Sequence, residues 1–295
     1  MSKISHTNTE NTIIHKVPHQ EKAQRIADYA KGIFLQYPTK TSIKKALKQK
    51  LIWVNNEVAT TATWIKGGET IRIKLPESRT DSSGLKLNLS IIYEDDFLAI
   101  INKPAGVLVS GNRFVTIANA LPQNLKPSQQ NDTCIPWPVH RLDYGTTGVL
   151  VVAKTAESLR HLSEQFQNKQ VKKTYYAICT GLMPEQQQIE TSIDNKEAFT
   201  SYQVEQAVPS VRFQQLNLVR LHPSTGRRHQ LRKHLAGIGH PILGDQDYGV
   251  KGEILIGKGI YLHAASIQLV HPHSKQKLVF NSPLPKKFSK IFPSA

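Results

Sequence analysis

Short apolar runs bounded by turn residues dominate the chain after residue 88, and they predict β-strands. They lie in the segments SIIYEDDFLAIINK, GVLVVAK, KKTYYAICTG, VRFQQLNLVRL, IYLHAASIQLV and QKLVF. Helical spacing of apolar residues predicts a helix over AESLRHLSEQFQN and a strongly basic one, opened by Gly226, over GRRHQLRKHLAGIG. The stretch 122–138, PQNLKPSQQNDTCIPWP, predicts a polar loop. Strands and helices mixed without a regular βαβ rhythm indicate an α+β fold rather than a doubly wound sheet.

The first part of the chain has a separate pattern. HQEKAQRIADYAKGIF and TSIKKALKQKL have apolar residues at helical spacing, and Thr41 or Ser42 is expected to cap the second helix. IWVNNEV and GGETIRIKLP predict strands, whereas ESRTDSSGLK is polar and aperiodic and predicts a linker. The expected organisation is a flexible tail at 1–17, a small domain at 18–78, a linker at 79–88 and a large domain at 89–295.

The charge of the chain indicates a polyanionic partner. Lys and Arg number 38 against 22 Asp and Glu, which leaves a formal net charge of +16. Such an excess repels itself in a compact chain and attracts phosphate groups, so nucleic acid is the expected partner. An anionic membrane surface is the alternative, but the sequence has no long basic amphipathic helix with an aromatic apolar face.

Several other classes of protein are not expected from the composition. No apolar run approaches the roughly 20 residues that cross a bilayer, and the polar first residues do not resemble a secretory signal. Two cysteines, Cys134 and Cys179, cannot form a disulfide framework. We therefore expect a cytoplasmic protein with reduced thiols.

Three segments carry candidate chemistry. His140, Arg141 and Asp143 lie in a polar turn directly before GVLVVAK, and loops held by a sheet are where catalytic groups usually lie. The alternative is a structural turn in which Asp143 accepts hydrogen bonds from nearby amides. Tyr175 and Tyr176 adjoin on a predicted strand, so one faces inward, either as a core residue or stacked on a base.

The basic helix has two possible roles. Arg228 and Arg232 are four residues apart and are expected on one helix face, either as a solvated phosphate-binding surface or with one arginine paired to a carboxylate in a cleft. His229 and His234 do not have the spacing of the HExxH motif, and no metal site is predicted.

Four segments together resemble the RluA-type family of RNA pseudouridine synthases. HRLDYGTTG resembles the family's active-site motif, which reads HRLD, two residues and Thr-Ser-Gly, with Thr147 in place of the serine. KPAGVLV, KKTYYA and GRRHQLRKHLAGIGHPILGD resemble other segments of the family, in the family's order. The resemblance implies a catalytic domain with a largely antiparallel mixed sheet flanked by helices.

The resemblance also implies a reaction and the residues that perform it. The glycosidic bond of a uridine in folded RNA is cut, the base turns, and its carbon-5 is joined to the ribose, with no cofactor or metal. Asp143 is implied as the catalytic carboxylate, Tyr175 as the residue against the base, and Arg232 as the partner of Asp143. A carboxylate that stays ionised in a closed site needs a nearby cation, and arginine can make two hydrogen bonds to it.

Further basic residues are expected to bind RNA. Arg141 is implied to enter the space left by the extracted nucleotide. In the catalytic domain the remaining candidates are Lys103, His140, Arg227, Arg228 and Lys233. On the second helix of the small domain they are Lys44, Lys45 and Lys48.

The small domain resembles an RNA-binding domain shared with a small-subunit ribosomal protein. The matching segments are RIADYA, SIKKALKQKLIWVNNEV and KGGETIRI, with Lys50 and Asn56 where that domain usually has glycine. The resemblance implies a monomeric enzyme acting on structured RNA, with ribosomal RNA as the first choice and transfer RNA still open.

Two other functions compete with this interpretation. One is an inactive RNA-binding or ribosome-assembly factor on the same fold. Replacement of Asp143, Tyr175 or Arg232 would favour this alternative, but all three residues are present. The other is a hydrolase that uses His140 and Asp143, for which the sequence supplies neither a GxSxG motif nor metal-ligand spacing.

Overall fold

The structure is a computed structural model, and it describes residues 12–20, 22–30, 33–34, 37, 40–74 and 85–293. The chain divides into two compact units, residues 1–84 and residues 85–295. Each unit has its own hydrophobic core among the described residues. In the described part of the chain, no helix is long and apolar enough to cross a membrane.

The first unit combines two short helices with small antiparallel sheets. The helices are α1 (Ile26–Tyr29) and α2 (Lys40–Lys48). A four-stranded sheet has the order β1-β6-β3-β4 and consists of β1 (Thr12–Lys16), β3 (Ile52–Val54), β4 (Glu57–Val58) and β6 (Thr70–Lys74). A second pair consists of β2 (Gln24–Arg25) and β5 (Trp64–Ile65).

The beginning of this unit differs from the sequence prediction. Thr12–Lys16 pairs with β6, so the predicted tail at 1–17 contains a strand, and its residues 1–11 lie outside the described part. The polar His15 is buried in this strand, where its Nε2 lies 2.8 Å from the Tyr29 hydroxyl. A helix was predicted over 19–34, but among the described residues of this stretch only Ile26–Tyr29 is α-helical. Gln24–Arg25, directly before it, forms a strand that pairs with β5.

The backbone conformations of Lys50 and Asn56 account for the usual presence of glycine at these two positions. Both have left-handed backbone conformations, with φ of 56° and 69°. Glycine adopts this conformation without steric cost, which accounts for glycine being usual at these positions in the domain that the segment resembles.

In the second unit, ten strands of the described residues form one sheet. They are β7 (Ser90–Glu94), β8 (Leu98–Lys103), β9 (Thr133–Pro138), β10 (Thr147–Thr155), β11 (Lys172–Thr180), β12 (Gln186–Ile189), β13 (Thr200–Ser210), β14 (Gln214–Pro223), β15 (Leu262–Val270) and β16 (Lys277–Asn281). The main order is β12-β13-β14-β11-β15-β10-β8-β7, with β16 beside β15 and β9 beside β10. The helices are α3 (Ile117–Asn124), α4 (Ala156–Gln167), α5 (Gln230–Gly237) and α6 (Lys286–Ser289).

The pairing of these strands confirms the expected α+β fold. Neighbouring strands are antiparallel except β10 and β15, which run parallel and pair at Thr147 and Gly148. The sheet is therefore mixed but largely antiparallel, as the resemblance implied.

The strand β10 is apolar along its length because both of its faces are covered. Val149 and Val151 pack in one cluster with Leu162 of α4. Leu150 and Val152 pack in another with residues of α3. Successive side chains of a strand point to opposite faces, so a strand buried on both sides has a continuous apolar run. This rigid strand supports the loop that precedes it.

Three predictions for the second unit need correction. The stretch 122–138 is not a single loop, because its first residues end α3 and Thr133–Pro138 forms β9. The linker predicted at 79–88 ends earlier, since Leu85 is buried in the core, and residues 79–84 lie outside the described part. The basic helix begins at Gln230 rather than at Gly226, because His229 before it has a left-handed backbone.

Candidate active site

Asp143 lies in the loop between β9 and β10, at the wall of a cavity of about 560 Å³. Its side chain is 21% exposed. Of the residues that line this cavity, Asp143 is the one carboxylate. The basic residues of the lining are Arg141, Lys169, Lys173, Arg227 and Arg228. A single anionic group therefore lies in a cavity whose charge attracts phosphate.

Lys103 holds this loop from inside the protein. Its ammonium group donates hydrogen bonds to the carbonyl oxygens of Pro104 at 2.8 Å, Tyr144 at 3.2 Å and Thr146 at 2.9 Å. Burial lowers the pKa of Lys103 to about 8, although the charge of Asp143 acts in the opposite direction. The side chain is fully buried, so the expectation that Lys103 contacts RNA is wrong. It joins the backbone at Pro104 to the part of the loop that directly follows Asp143 instead.

Arg232 lies on α5 and is almost buried. Its Nε and Nη2 donate to the two carboxylate oxygens of Asp245, at 2.7 and 2.6 Å, and Nη2 also donates to Asp247 at 2.6 Å. Its Nη1 lies 4.0 Å from Oδ2 of Asp143. The two-hydrogen-bond pairing of this arginine is thus made with Asp245, and Asp143 is a more distant third carboxylate.

The electrostatic balance of Arg232 follows from these contacts. Burial alone would lower the pKa of Arg232, but the hydrogen bonds to Asp245 and Asp247 raise it above its ordinary value. The aromatic ring of Tyr248 lies 4.9 Å from the guanidinium carbon and adds a cation–π contact. Arg232 is therefore a permanent, fixed cation beside Asp143.

His229 also approaches Asp143. Its Nε2 lies 3.8 Å from Oδ1 of Asp143, and its Nδ1 lies 3.0 Å from the hydroxyl oxygen of Tyr248. Burial lowers the pKa of His229, the charge of Asp143 opposes this shift, and Arg232 and Arg228 add to it. The imidazole is therefore neutral at neutral pH.

Tyr175 faces the same cavity from β11. Tyr176 lines a groove on the opposite face of the sheet, as the alternation of a strand requires. Burial raises the pKa of Tyr175, and the charge of Asp143 raises it further. Tyr175 is therefore a neutral phenol in the lining of the cavity.

His140 lines the cavity without adding charge to it. Its Nε2 accepts a hydrogen bond from the Val151 amide at 3.0 Å, and its ring stacks on Phe166 with centroids 4.6 Å apart. Burial lowers the pKa of His140 to about 3, with Lys173 contributing. This neutral ring attaches the loop to β10.

The other predicted RNA-binding residues differ in whether their side chains already have hydrogen-bond or ion-pair partners in the protein. Arg141 and Arg228 are exposed, and no hydrogen bond or ion pair of either side chain occurs among the described residues. Arg228 precedes α5, so it does not share a helix face with Arg232 as expected. Arg227 donates to the carbonyl oxygen of Glu197 at 2.9 Å, and Lys233 pairs with Asp194 at 3.1 Å.

The lysines of the first unit lie on α2. Ile43, Ala46 and Leu47 of this helix are buried. The exposed positions between them hold Lys44, Lys45 and Lys48. Because the buried positions recur with the period of a helix, these lysines face solvent on the opposite side of α2.

Comparison with known proteins decides the family. Residues 97–237 match the family model described as RNA pseudouridylate synthase. Over 94% of its length the chain is 34% identical to ribosomal large subunit pseudouridine synthase D of Nitrosomonas europaea, and the alignment covers 86% of that protein. The chain belongs to the RluA-type family of RNA pseudouridine synthases.

A second relative and a solved structure support the same family. It is 32% identical to ribosomal large subunit pseudouridine synthase C of Vibrio parahaemolyticus, over 91% of each chain. The solved structure of human RNA pseudouridylate synthase domain containing 4 superposes with a TM-score of 0.54 and 29% identity, and the match covers 68% of this chain and 90% of that one. The protein is thus an RNA pseudouridine synthase, an isomerase.

Four residues of this site were not predicted from the sequence to contribute to it, and His229 was considered there only as a metal ligand. They are His229, Asp245, Asp247 and Tyr248, all close to Arg232 or Asp143. A signal was present in GDQDYG, where two aspartates follow a basic helix after a short connection. Among the described residues, no group of three or more His, Cys, Asp or Glu side chains is arranged to hold a metal ion.

Proposed function

We propose that this synthase isomerises specific uridines of large-subunit ribosomal RNA, with Asp143 as the catalytic carboxylate. The observation that carries the assignment is the position of Asp143 as the one carboxylate in the lining of a basic cavity, with Tyr175 also in that lining. The choice of RNA rests on the names of the relatives in Nitrosomonas europaea and Vibrio parahaemolyticus, both ribosomal large subunit pseudouridine synthases.

The reaction requires a nucleophile or base beside the ribose. The bond between N1 of uracil and C1′ breaks and a bond between C5 and C1′ forms. The hydrogen of C5 leaves to water as a proton, and N1 takes up a proton in return, so the product is an isomer of the substrate. An ionised Asp143 either attacks C1′ directly or assists formation of a glycal, and both routes need its carboxylate close to the sugar. Arg232, with Nη1 4.0 Å from Oδ2 of Asp143, supplies a fixed positive charge beside this carboxylate.

The substrate must leave the RNA fold to reach this carboxylate. Extruding a nucleotide costs a few kcal/mol, which attraction between basic side chains and phosphates offsets. Arg141 enters the space that the nucleotide leaves, a role that its exposure in the same loop as Asp143 supports. Arg227 and Arg228 supply charge from another wall of the cavity.

Tyr175 suits the position against the base. Its flat face can stack on uracil, and its hydroxyl is protonated because burial and the charge of Asp143 raise its pKa. A protonated phenol accepts the proton from C5 only if it gives up its own, so a water molecule or another group must take that proton onward.

Substitution of Asp143 by Asn tests the assignment. Asn keeps the shape of the side chain but removes the charge, so isomerisation is expected to fall by more than about 10⁴-fold while RNA affinity stays nearly unchanged. The measurement is release of tritium from RNA labelled at C5 of uridine, together with a filter-binding affinity. Turnover within about tenfold of wild type would contradict the role of Asp143.

The RNA target needs a separate experiment. Ribosomal RNA and transfer RNA from a strain that lacks the gene are each incubated with the purified enzyme, and pseudouridines are mapped by position. New pseudouridines in large-subunit ribosomal RNA are expected. Modification of transfer RNA alone would overturn the choice of substrate and leave the role of Asp143 intact.

A further inference from the structure

The carboxylate of Asp143 has a different neighbour at each oxygen. Oδ2 lies 4.0 Å from Nη1 of Arg232, and Oδ1 lies 3.8 Å from Nε2 of His229. Both distances exceed that of a hydrogen bond, but catalytic hydrogen bonds are often long in a free enzyme and shorten when substrate binds. His229 is therefore within reach of the group that reacts.

The hydrogen on His229 can be assigned from its two neighbours. If Nε2 had no hydrogen, its lone pair would face an anionic oxygen of Asp143, which is repulsive. The carboxylate thus favours the form with hydrogen on Nε2, and Nδ1 then accepts from the Tyr248 hydroxyl at 3.0 Å. Tyr248 in turn lies over Arg232, so its ring is held by a cation that is itself fixed by Asp245.

The backbone of His229 supports a role beyond packing. Its φ of 56° is left-handed, which costs free energy in any residue except glycine. The chain nevertheless has histidine here, directly before α5, with the side chain in the lining of the cavity. The left-handed backbone at residue 229 thus directs the imidazole into the cavity immediately before α5 begins.

We propose that His229 is a positioning residue for Asp143, itself oriented by Tyr248. When substrate binds, Nε2 approaches Oδ1 from 3.8 Å to hydrogen-bond distance, and this contact fixes the orientation of the carboxylate toward the nucleoside. This inference rests on the proposed function, in which Asp143 is the catalytic carboxylate.

Replacement of His229 by Gly tests the inference without a folding defect, because glycine adopts φ of 56° freely. We expect the single-turnover rate to fall at least about tenfold with RNA affinity changed by less than about threefold, since a positioning contact acts on the chemical step. Added imidazole is expected to restore part of the rate. Tyr248→Phe is expected to lower the rate by a smaller factor, because it removes the hydroxyl that orients the ring.

Gln214→Gly is the matched control. Gln214 has φ of 60°, is exposed, and does not belong to the cavity lining, so this change relieves the same backbone strain without affecting the site. Its rate and affinity should equal those of wild type.

The outcomes separate this inference from the proposed function. A wild-type rate in His229→Gly, or a lowered rate that imidazole does not restore, overturns the role of His229 when Asp143→Asn is inactive. An active Asp143→Asn enzyme instead overturns the proposed function.

Discussion

The guanidinium of Arg232 is shared by three carboxylates whose exposure differs sharply. The side chain of Asp245 is 0% exposed, that of Asp143 is 21% exposed and that of Asp247 is 62% exposed. A buried charge that loses its partner is costly, whereas an exposed pair contributes little. Asp245 is therefore the residue that decides where Arg232 lies.

This difference predicts opposite results for two similar substitutions. Asp245→Asn should lower the free energy of unfolding by about 3 kcal/mol or more, because it leaves the Arg232 charge partly unpaired in a buried place. Asp247→Asn should lower it by less than about 1 kcal/mol. Urea denaturation of the two variants beside wild type checks this, and equal losses would contradict the dominance of Asp245.

The residues of the site divide into those that the sequence can reveal and those it cannot. Asp143, Tyr175 and Arg141 were singled out by motif, and the structure places all three in the lining of one cavity. Lys103 and His140 were expected to bind RNA, but Lys103 is buried and the half-buried His140 accepts a hydrogen bond from Val151. These side chains contact other segments of the chain, so composition does not reveal their positions.

At the scale of elements, the approach of β10 to β15 determines where the loop that contains Asp143 ends. Gly148 pairs with Ala264 there and has φ of 111°. A β-carbon at Gly148 would lie 2.1 Å from the carbonyl oxygen of Ala264, closer than any real contact. Only glycine allows this close approach, which lies five residues after Asp143 in sequence.

A pair of glycine-to-alanine changes tests this account. Gly148→Ala should lower the free energy of unfolding by about 3 kcal/mol or more, because the methyl group overlaps a backbone carbonyl. Gly237→Ala, at the end of α5 with nothing within 4 Å of the added carbon, should leave it unchanged or raise it by up to about 1 kcal/mol. Thermal denaturation gives both values, and a tolerated Gly148→Ala would refute the close-approach argument.

The success of sequence prediction varied with the clarity of the hydrophobic pattern. The strands β10 and β11 and the helix α4 were predicted close to their observed bounds, since the strands contain apolar runs and the helix has apolar residues at helical spacing. The strand β13 was not predicted, because TSYQVEQAVPS mixes polar residues into both faces and contains proline. The start of α5 was misplaced because the left-handed backbone of His229 leaves no mark in the residue pattern.

At the scale of the whole molecule, the net charge of +16 is distributed over both units. In the first unit, the exposed Lys44, Lys45 and Lys48 lie on a single helix. In the second, basic residues line the cavity around Asp143. If both groups of basic residues contact phosphates, each group should contribute to the decrease of RNA affinity with increasing salt concentration.

Neutralising the α2 lysines tests the contribution of the first unit. Changing Lys44, Lys45 and Lys48 together to Gln should reduce the slope of log affinity against log salt by up to about 2, since each lost phosphate contact removes about 0.7 for single strands. The control removes the same charge from exposed lysines of the second unit, namely Lys251, Lys258 and Lys286. An equal loss of slope in both variants would mean that net charge alone is responsible.

The separate cores of the two units bear on how denaturation of this protein is to be interpreted. Of the three tryptophans in the chain, Trp53 and Trp64 fall in the first unit and Trp137 in the second. Intrinsic fluorescence consequently follows mainly the smaller unit, whereas far-ultraviolet circular dichroism follows mainly the ten-stranded sheet. A melting temperature obtained with one of these optical probes describes the unit that dominates its signal, and the two curves coincide only if the units unfold together.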